Sequence, residues 1–133
     1  MALDASPQHG SGVSLCLMAG AVVTRLAVAS FTLAWTHSVE KTRWEEDWRV
    51  GPRGLEIIEA RVKGSGAGME PGPDARFDGT WWRWRPKLPV ANSVRLGRSD
   101  AVPEGWELCA EGACRAVADA RESADSVTLS VCD

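Results

Sequence analysis

The sequence predicts an all-β fold: a single-domain antiparallel β-sandwich or closed barrel of about eight short strands. Three observations predict it. Apolar and polar residues alternate strictly along several short stretches, the mark of strands buried on one face. Clusters of Gly, Pro, Asn and Asp separate those stretches. At 133 residues the chain is one domain by length, and it can bury about two-thirds of its unfolded surface without a metal or disulfide.

The elements follow in order. Residues 1–12 are polar and rich in Pro, Gly and Ser, and read as a disordered leader; 13–133 form the β domain. From Val13 to Trp35 the chain is mostly apolar, broken by Thr24 and Arg25. A membrane helix needs about 20 uninterrupted apolar residues. An export signal opens with basic residues, where this leader has Asp4. Two strands fit better, and the same flanks favour a cytoplasmic or inner-membrane-associated location over the periplasm. From Leu26 to Val39, Phe31, Leu33, Trp35, His37 and Val39 share one face, and Ser30, Thr32, Ala34 and Thr36 share the other. From Thr42 to Val50, Trp44, Glu46, Trp48 and Val50 oppose Arg43, Glu45, Asp47 and Arg49. In the strand from Leu55 to Val62, Ile58, Ala60 and Val62 oppose Glu59, Arg61 and Lys63. A glycine loop spans 64–73. Trp82 and Trp84 then alternate with Arg83 and Arg85, and Val94–Leu96 and Trp106–Leu108 are short strands. The alanine-rich run near 115–124 reads as a short helix, and Val127, Leu129 and Val131 alternate in a closing strand.

Composition removes some functions. A net charge of -3, with Lys and Arg scattered among acids, leaves no basic face for nucleic acid. Seven Trp with two Phe and no Tyr is an unusual aromatic set. Indoles fill cores and line binding pockets alike. No serine-hydrolase elbow, P-loop, zincin or EF-hand pattern is present, and no cofactor is expected.

Two residues break the alternation. His37 and Glu46 fall on apolar faces of adjacent strands. A buried carboxylate needs a partner or a proton, and His37 is the nearest candidate by sequence. The pair reads either as a ligand or acid–base site, or as a polar tie between strands. The loop carries Gly66, Ala67 and Gly68; its backbone N–H groups suit an anion or ligand contact, or it is a wide turn. Pro71 and Pro73 follow it, so it opens no dinucleotide-binding helix. A two-residue turn at Glu111-Gly112 sets Cys109 opposite Cys114 within disulfide reach, and Cys16 with Cys132 is a candidate second bridge. The competing reading is reduced thiols in a cytosol. The Cys spacing does not favour zinc, and no metal is expected.

These residues resemble a known family. Trp35, the run His37-Ser38-Val39-Glu40, Glu46 before Trp48, and the loop Gly66-Ala67-Gly68, with the Trp cluster and "WELC" beyond, are similar to the small bacterial domain-of-unknown-function family numbered eighteen-fifty. The resemblance extends from about Leu15 to Cys132 and departs at Glu70, which stands before Pro71. Members of that family are often encoded beside fused permeases of TAXI-type TRAP transporters, which import organic acids and amino acids. The resemblance therefore implies an uncharacterised accessory or binding module for such a transporter, more a binder than an enzyme. His37, Ser38, Glu46, Gly66, Ala67 and Gly68 would form its site, facing a membrane permease or a small carboxylate ligand. A small enzyme using His37 and Glu46 as acid and base, and a periplasmic disulfide-bonded adaptor, are the alternatives.

Overall fold

In the computed structural model, the described residues are 12–36, 42–64, 74–97, 105–117 and 126–133. They form eleven strands: β1 (Ser14–Ala19), β2 (Val22–Leu26), β3 (Ser30–Thr36), β4 (Arg43–Gly51), β5 (Gly54–Lys63), β6 (Arg76–Phe77), β7 (Trp81–Trp84), β8 (Ser93–Gly97), β9 (Glu107–Ala110), β10 (Ala113–Ala116) and β11 (Ser126–Cys132). Seven make one sheet in the order β10-β9-β3-β4-β5-β7-β6, and four make another, β2-β1-β11-β8. Every pairing is antiparallel. The architecture is an all-β sandwich.

The strand count exceeds eight for local reasons. Val13 to Trp35 makes three strands, because turns fall at Gly20-Ala21 and again before Ser30. The Cys109–Cys114 stretch is a hairpin of two, and Arg76–Phe77 adds a short edge. The helix expected near 115–124 does not begin there: Arg115 and Ala116 belong to β10, where they pair with Leu108 and Glu107. The remainder of that run, 118–124, lies outside the described residues.

The core lies between the sheets. Leu15, Leu17, Val127 and Leu129 face it from the small sheet, and Phe31, Leu33, Trp48, Val50, Leu55, Ile57 and Leu108 from the large one. Phe31 and Trp48, opposite each other on β3 and β4, stack with ring centroids 6.3 Å apart. Cys16 and Cys132 lie on neighbouring strands β1 and β11 and are disulfide-bonded across 116 residues of chain.

One register shift orders the large sheet. Asp47 pairs with Glu59 but Trp48 pairs with Ile57, so Ile58 is an extra residue, a β-bulge. Strict alternation groups Ile58 with Ala60 and Val62. The bulge instead turns Leu55 and Ile57 inward on one side of it and Ala60 and Val62 inward on the other; all four are buried. Ile58 is left half-buried, beside Asp47 and Glu59.

The β4–β5 turn depends on a glycine. Gly54 has φ 138°, and its neighbour Leu55 exchanges two 2.8 Å backbone hydrogen bonds with Ala91. A Cβ on Gly54 would overlap the Ala91 carbonyl oxygen. Gly54→Ala is expected to destabilise the fold by about 2–4 kcal/mol in urea unfolding, since both the backbone conformation and the contact oppose a side chain. A loss below about 0.5 kcal/mol would show that the Leu55–Ala91 bridge yields without cost.

Candidate functional site

Glu46 sits on the inward face of β4, opposite Leu33 of β3 and Ala60 of β5. Trp44 and Trp48 bracket it on the same strand. Its hydrogen bond comes from within the strand: Trp48 Nε1 donates to Glu46 Oε1 at 3.1 Å. Among the described residues no cation pairs with it. Burial pushes the Glu46 carboxyl above its ordinary range, and the indole N–H only partly offsets that. His37 and Ser38 lie outside the described residues, as do Gly66, Ala67 and Gly68. The described partner of Glu46 is thus the Trp48 indole, and the expected pairing with His37 falls outside the described residues.

Around Glu46 the inner face is aromatic. Trp35 stacks on Trp44 with centroids 6.1 Å apart, Trp106 leans on Trp35 at 4.6 Å, and Trp84 meets Trp44 edge-on at 6.2 Å. This follows from register, because Trp35, Trp44, Val62 and Trp82 form one row across β3, β4, β5 and β7. The Nε1 groups of Trp44 and Trp82 are buried and have no hydrogen-bond partner among the described residues. An unmade buried hydrogen bond costs about 1–3 kcal/mol, so this end of the sheet holds two donors in want of an acceptor. Thr36, Thr42 and Gly64, which flank connections 37–41 and 65–73, border this same end.

The opposite face of the sheet is a ladder of charges. Arg61 of β5 is its centre, with a side chain only 13% exposed. It donates to Glu45 at 2.7 Å, to Asp47 at 2.8 Å and to Glu59 at 2.9 Å. Arg43 extends the chain from Glu45 to Glu107 on β9, at 2.7 and 3.0 Å. Arg83 extends it the other way, from Glu59 at 2.7 Å to Asp78 at 2.6 Å. Burial alone would raise the Asp47 carboxyl, but hydrogen bonds from Arg61 and Thr32 outweigh it and hold the carboxyl below its usual range. Arg83 and the N–H groups of Trp81 and Thr80 bring Asp78 to about 2. Arg43, Arg61 and Arg83 each already hold two or more carboxylates, so together with these acids they form a satisfied structural network. Alternation gave the face of Arg43, Glu45, Asp47, Glu59, Arg61 and Arg83; Asp78, Glu107 and the pairs were not legible without the strand order.

The hairpin disulfide joins Cys109 to Cys114, with Cα atoms 4.0 Å apart, next to Glu107. The turn residues Glu111 and Gly112 have φ 53° and 82°, the geometry a two-residue hairpin turn requires. Glu107 and the two sulfurs lie within 4.8 Å of one another, but bonded sulfurs offer no thiolate to a metal.

With this geometry, comparison with known proteins gives one result. The model of the family described as Domain of unknown function (DUF1850) matches residues 31–117. The chain belongs to the DUF1850 family. The match is narrower than the span from Leu15 to Cys132, and it takes in the seven-stranded sheet and β8 while leaving β1, β2 and β11 outside. The aromatic end, the ladder and the hairpin disulfide are thus all within the DUF1850 unit. No curated protein and no solved structure matches the chain.

Two expectations test this DUF1850 site. Because the folded Glu46 carboxyl is raised, the native state holds its proton at pH values where the unfolded chain has lost it, so stability falls as pH rises through and above the carboxylate range. Glu46→Gln keeps an oxygen for Trp48 and is expected to be more stable than wild type by about 1 kcal/mol at neutral pH, with the gain gone at about pH 4. Thermal melts across pH measure it; a variant less stable at pH 7 would mean that a cation holds the carboxylate. Arg61→Met is expected to cost about 2–4 kcal/mol at pH 7, since it takes a shared cation from Glu45 and Glu59 and leaves Asp47 without one among the described residues. That cost should shrink as acid protonates Asp47, whose depressed pKa contributes stability above the carboxylate range and loses it as pH falls through the folded value. An Arg61→Met melting curve matching wild type would make the ladder decorative.

Proposed function

We propose that this DUF1850 chain is a non-enzymatic accessory module of a TAXI-type TRAP transporter, engaging the membrane permease through its aromatic end. The observation that carries the reading is the setting of Glu46: a carboxyl between Trp44 and Trp48 on the strand, bonded to an indole N–H, on the face that holds two buried indole N–H groups without acceptors among the described residues. Indoles with unmet donors are anchors for recognition. Chemistry would ask instead for a nucleophile beside its base, and the described residues offer no such pair. In this reading His37 and Ser38, with Gly66, Ala67 and Gly68, contribute contacts at the same end, and a small carboxylate is the other occupant the site would accept. Two disulfides support an extracytoplasmic position, against the cytoplasmic side that the leader favours, because such bonds persist in oxidising compartments.

One observation favours an enzyme. The raised pKa of Glu46 is the property a general acid needs, and His37 would be its partner. The two readings separate by turnover, since a binding module leaves its ligand unchanged.

The deciding experiment is affinity purification of the tagged full chain from gently solubilised native membranes, with mass spectrometry of what accompanies it. A multi-helix permease is expected with wild type and is expected to be lost with a His37→Ala variant that melts at the wild-type temperature. A chain recovered without any permease removes the transporter reading.

A further inference from the structure

We propose that the cleft between strands β2 and β10 binds a single-chain amphiphile with one anionic head, a medium-chain carboxylate, its head on Arg115 and its tail along the apolar floor. The cleft is distinct from the aromatic end and does not depend on the transporter reading.

Among the described residues the sandwich is open along this side. β2 ends the small sheet and β10 ends the large one, and neither has a further strand beyond it among the described residues. The gap between them is a cavity of about 590 Å³. That is within the roughly 300–1,000 Å³ of small-molecule sites. Its floor is core: Leu17, Leu108 and Val117 are buried. At its mouth stands Val22, an apolar side chain 52% exposed.

Arg115 gives the cleft its chemistry. It pairs with Leu108 across the hairpin, and Leu108 points into the core, so Arg115 projects from the same, core-facing side of the sheet. Among the described residues it is the only cation lining the cleft, and it is exposed. Arg43, Arg49, Arg61 and Arg83 all hold carboxylates; Arg115 holds none among the described residues. A guanidinium at the lip of an apolar cavity complements a carboxylate attached to a hydrocarbon chain. Glu111, at the hairpin tip on the same rim, disfavours a second negative charge, which selects a monoanion.

A peptide strand fits less well. Val117 N–H bonds to the Trp106 carbonyl at 2.8 Å, and the register then turns the Cys114 and Ala116 backbone groups to the free side of β10. These could template an added strand. A charge projecting to the inner side of an edge strand is, however, a device that opposes such addition. A strand laid there would bury Arg115 unpaired, whereas a carboxylate ligand brings its own countercharge.

Calorimetric titration of the full, disulfide-bonded chain with octanoate, decanoate and dodecanoate, each below its micelle concentration, tests the proposal. Saturable one-to-one binding is expected, tightening about fourfold per methylene, the equivalent of about 0.8 kcal/mol each. Arg115→Gln should weaken dodecanoate at least tenfold and leave dodecanol unchanged. Sedimentation of the same variant separates the edge-guard role. If Arg115→Gln self-associates while wild type and variant bind dodecanoate equally, Arg115 only guards the edge and the proposal fails. Absence of saturable binding to wild type, or equal affinity for acid and alcohol, also overturns it.

Discussion

The extra residue at Ile58 is the constraint on which the large sheet depends. A β-strand shows alternate residues to opposite faces, so one inserted residue exchanges the faces of everything beyond it. Without it, Leu55 and Ile57 could not both enter the core while Ala60 and Val62 line the inner face. The same step brings Arg61 opposite Glu45 and Arg83, and Val62 opposite Trp44 and Trp82. The charge ladder on one side and the aromatic row on the other are therefore two outcomes of one backbone irregularity.

Those two faces solve different problems. On the outer face, charges of both signs meet in rows across neighbouring strands and neutralise one another locally. On the inner face the problem is left partly open, with one indole N–H on Glu46 and two indole donors unmet among the described residues. Folded domains seldom leave buried polar groups unmatched. Where they do, the unmet groups mark a place at which something beyond the sheet completes the bonding, which is why the functional reading rests on the inner face and not on the more conspicuous ladder.

Much of this was legible in the residues. Alternation placed Trp44, Glu46 and Trp48 on one face and Arg43, Glu45 and Asp47 on the other, and the sheet has them so. The turn at Glu111-Gly112 fixed the pairing of Cys109 with Cys114, because two residues of positive φ allow only one closing pair. What alternation cannot encode is a break in itself, and Ile58 was assigned to the wrong face for that reason. Nor does it give strand order. Arg83 is 24 residues from Glu59 and Glu107 is 64 from Arg43, and only the sheet topology brings them together. The role of Arg115 was hidden likewise, since an alanine-rich run reads as helix until its pairing with Leu108 is known.

The bond between Cys16 and Cys132 makes the described polypeptide a covalent ring from β1 to β11. The whole DUF1850 unit lies inside that ring. A load applied to the two ends of the chain would travel through one pair of sulfurs and bypass the sheets, leaving their hydrogen bonds unstressed. A single cut in any connection between residues 17 and 131 would yield two fragments that stay tethered until the sulfurs are reduced. The ring also sets where other parts can be attached: segments joined before β1 or after β11 leave from adjacent strands of the small sheet, across the core from the aromatic face.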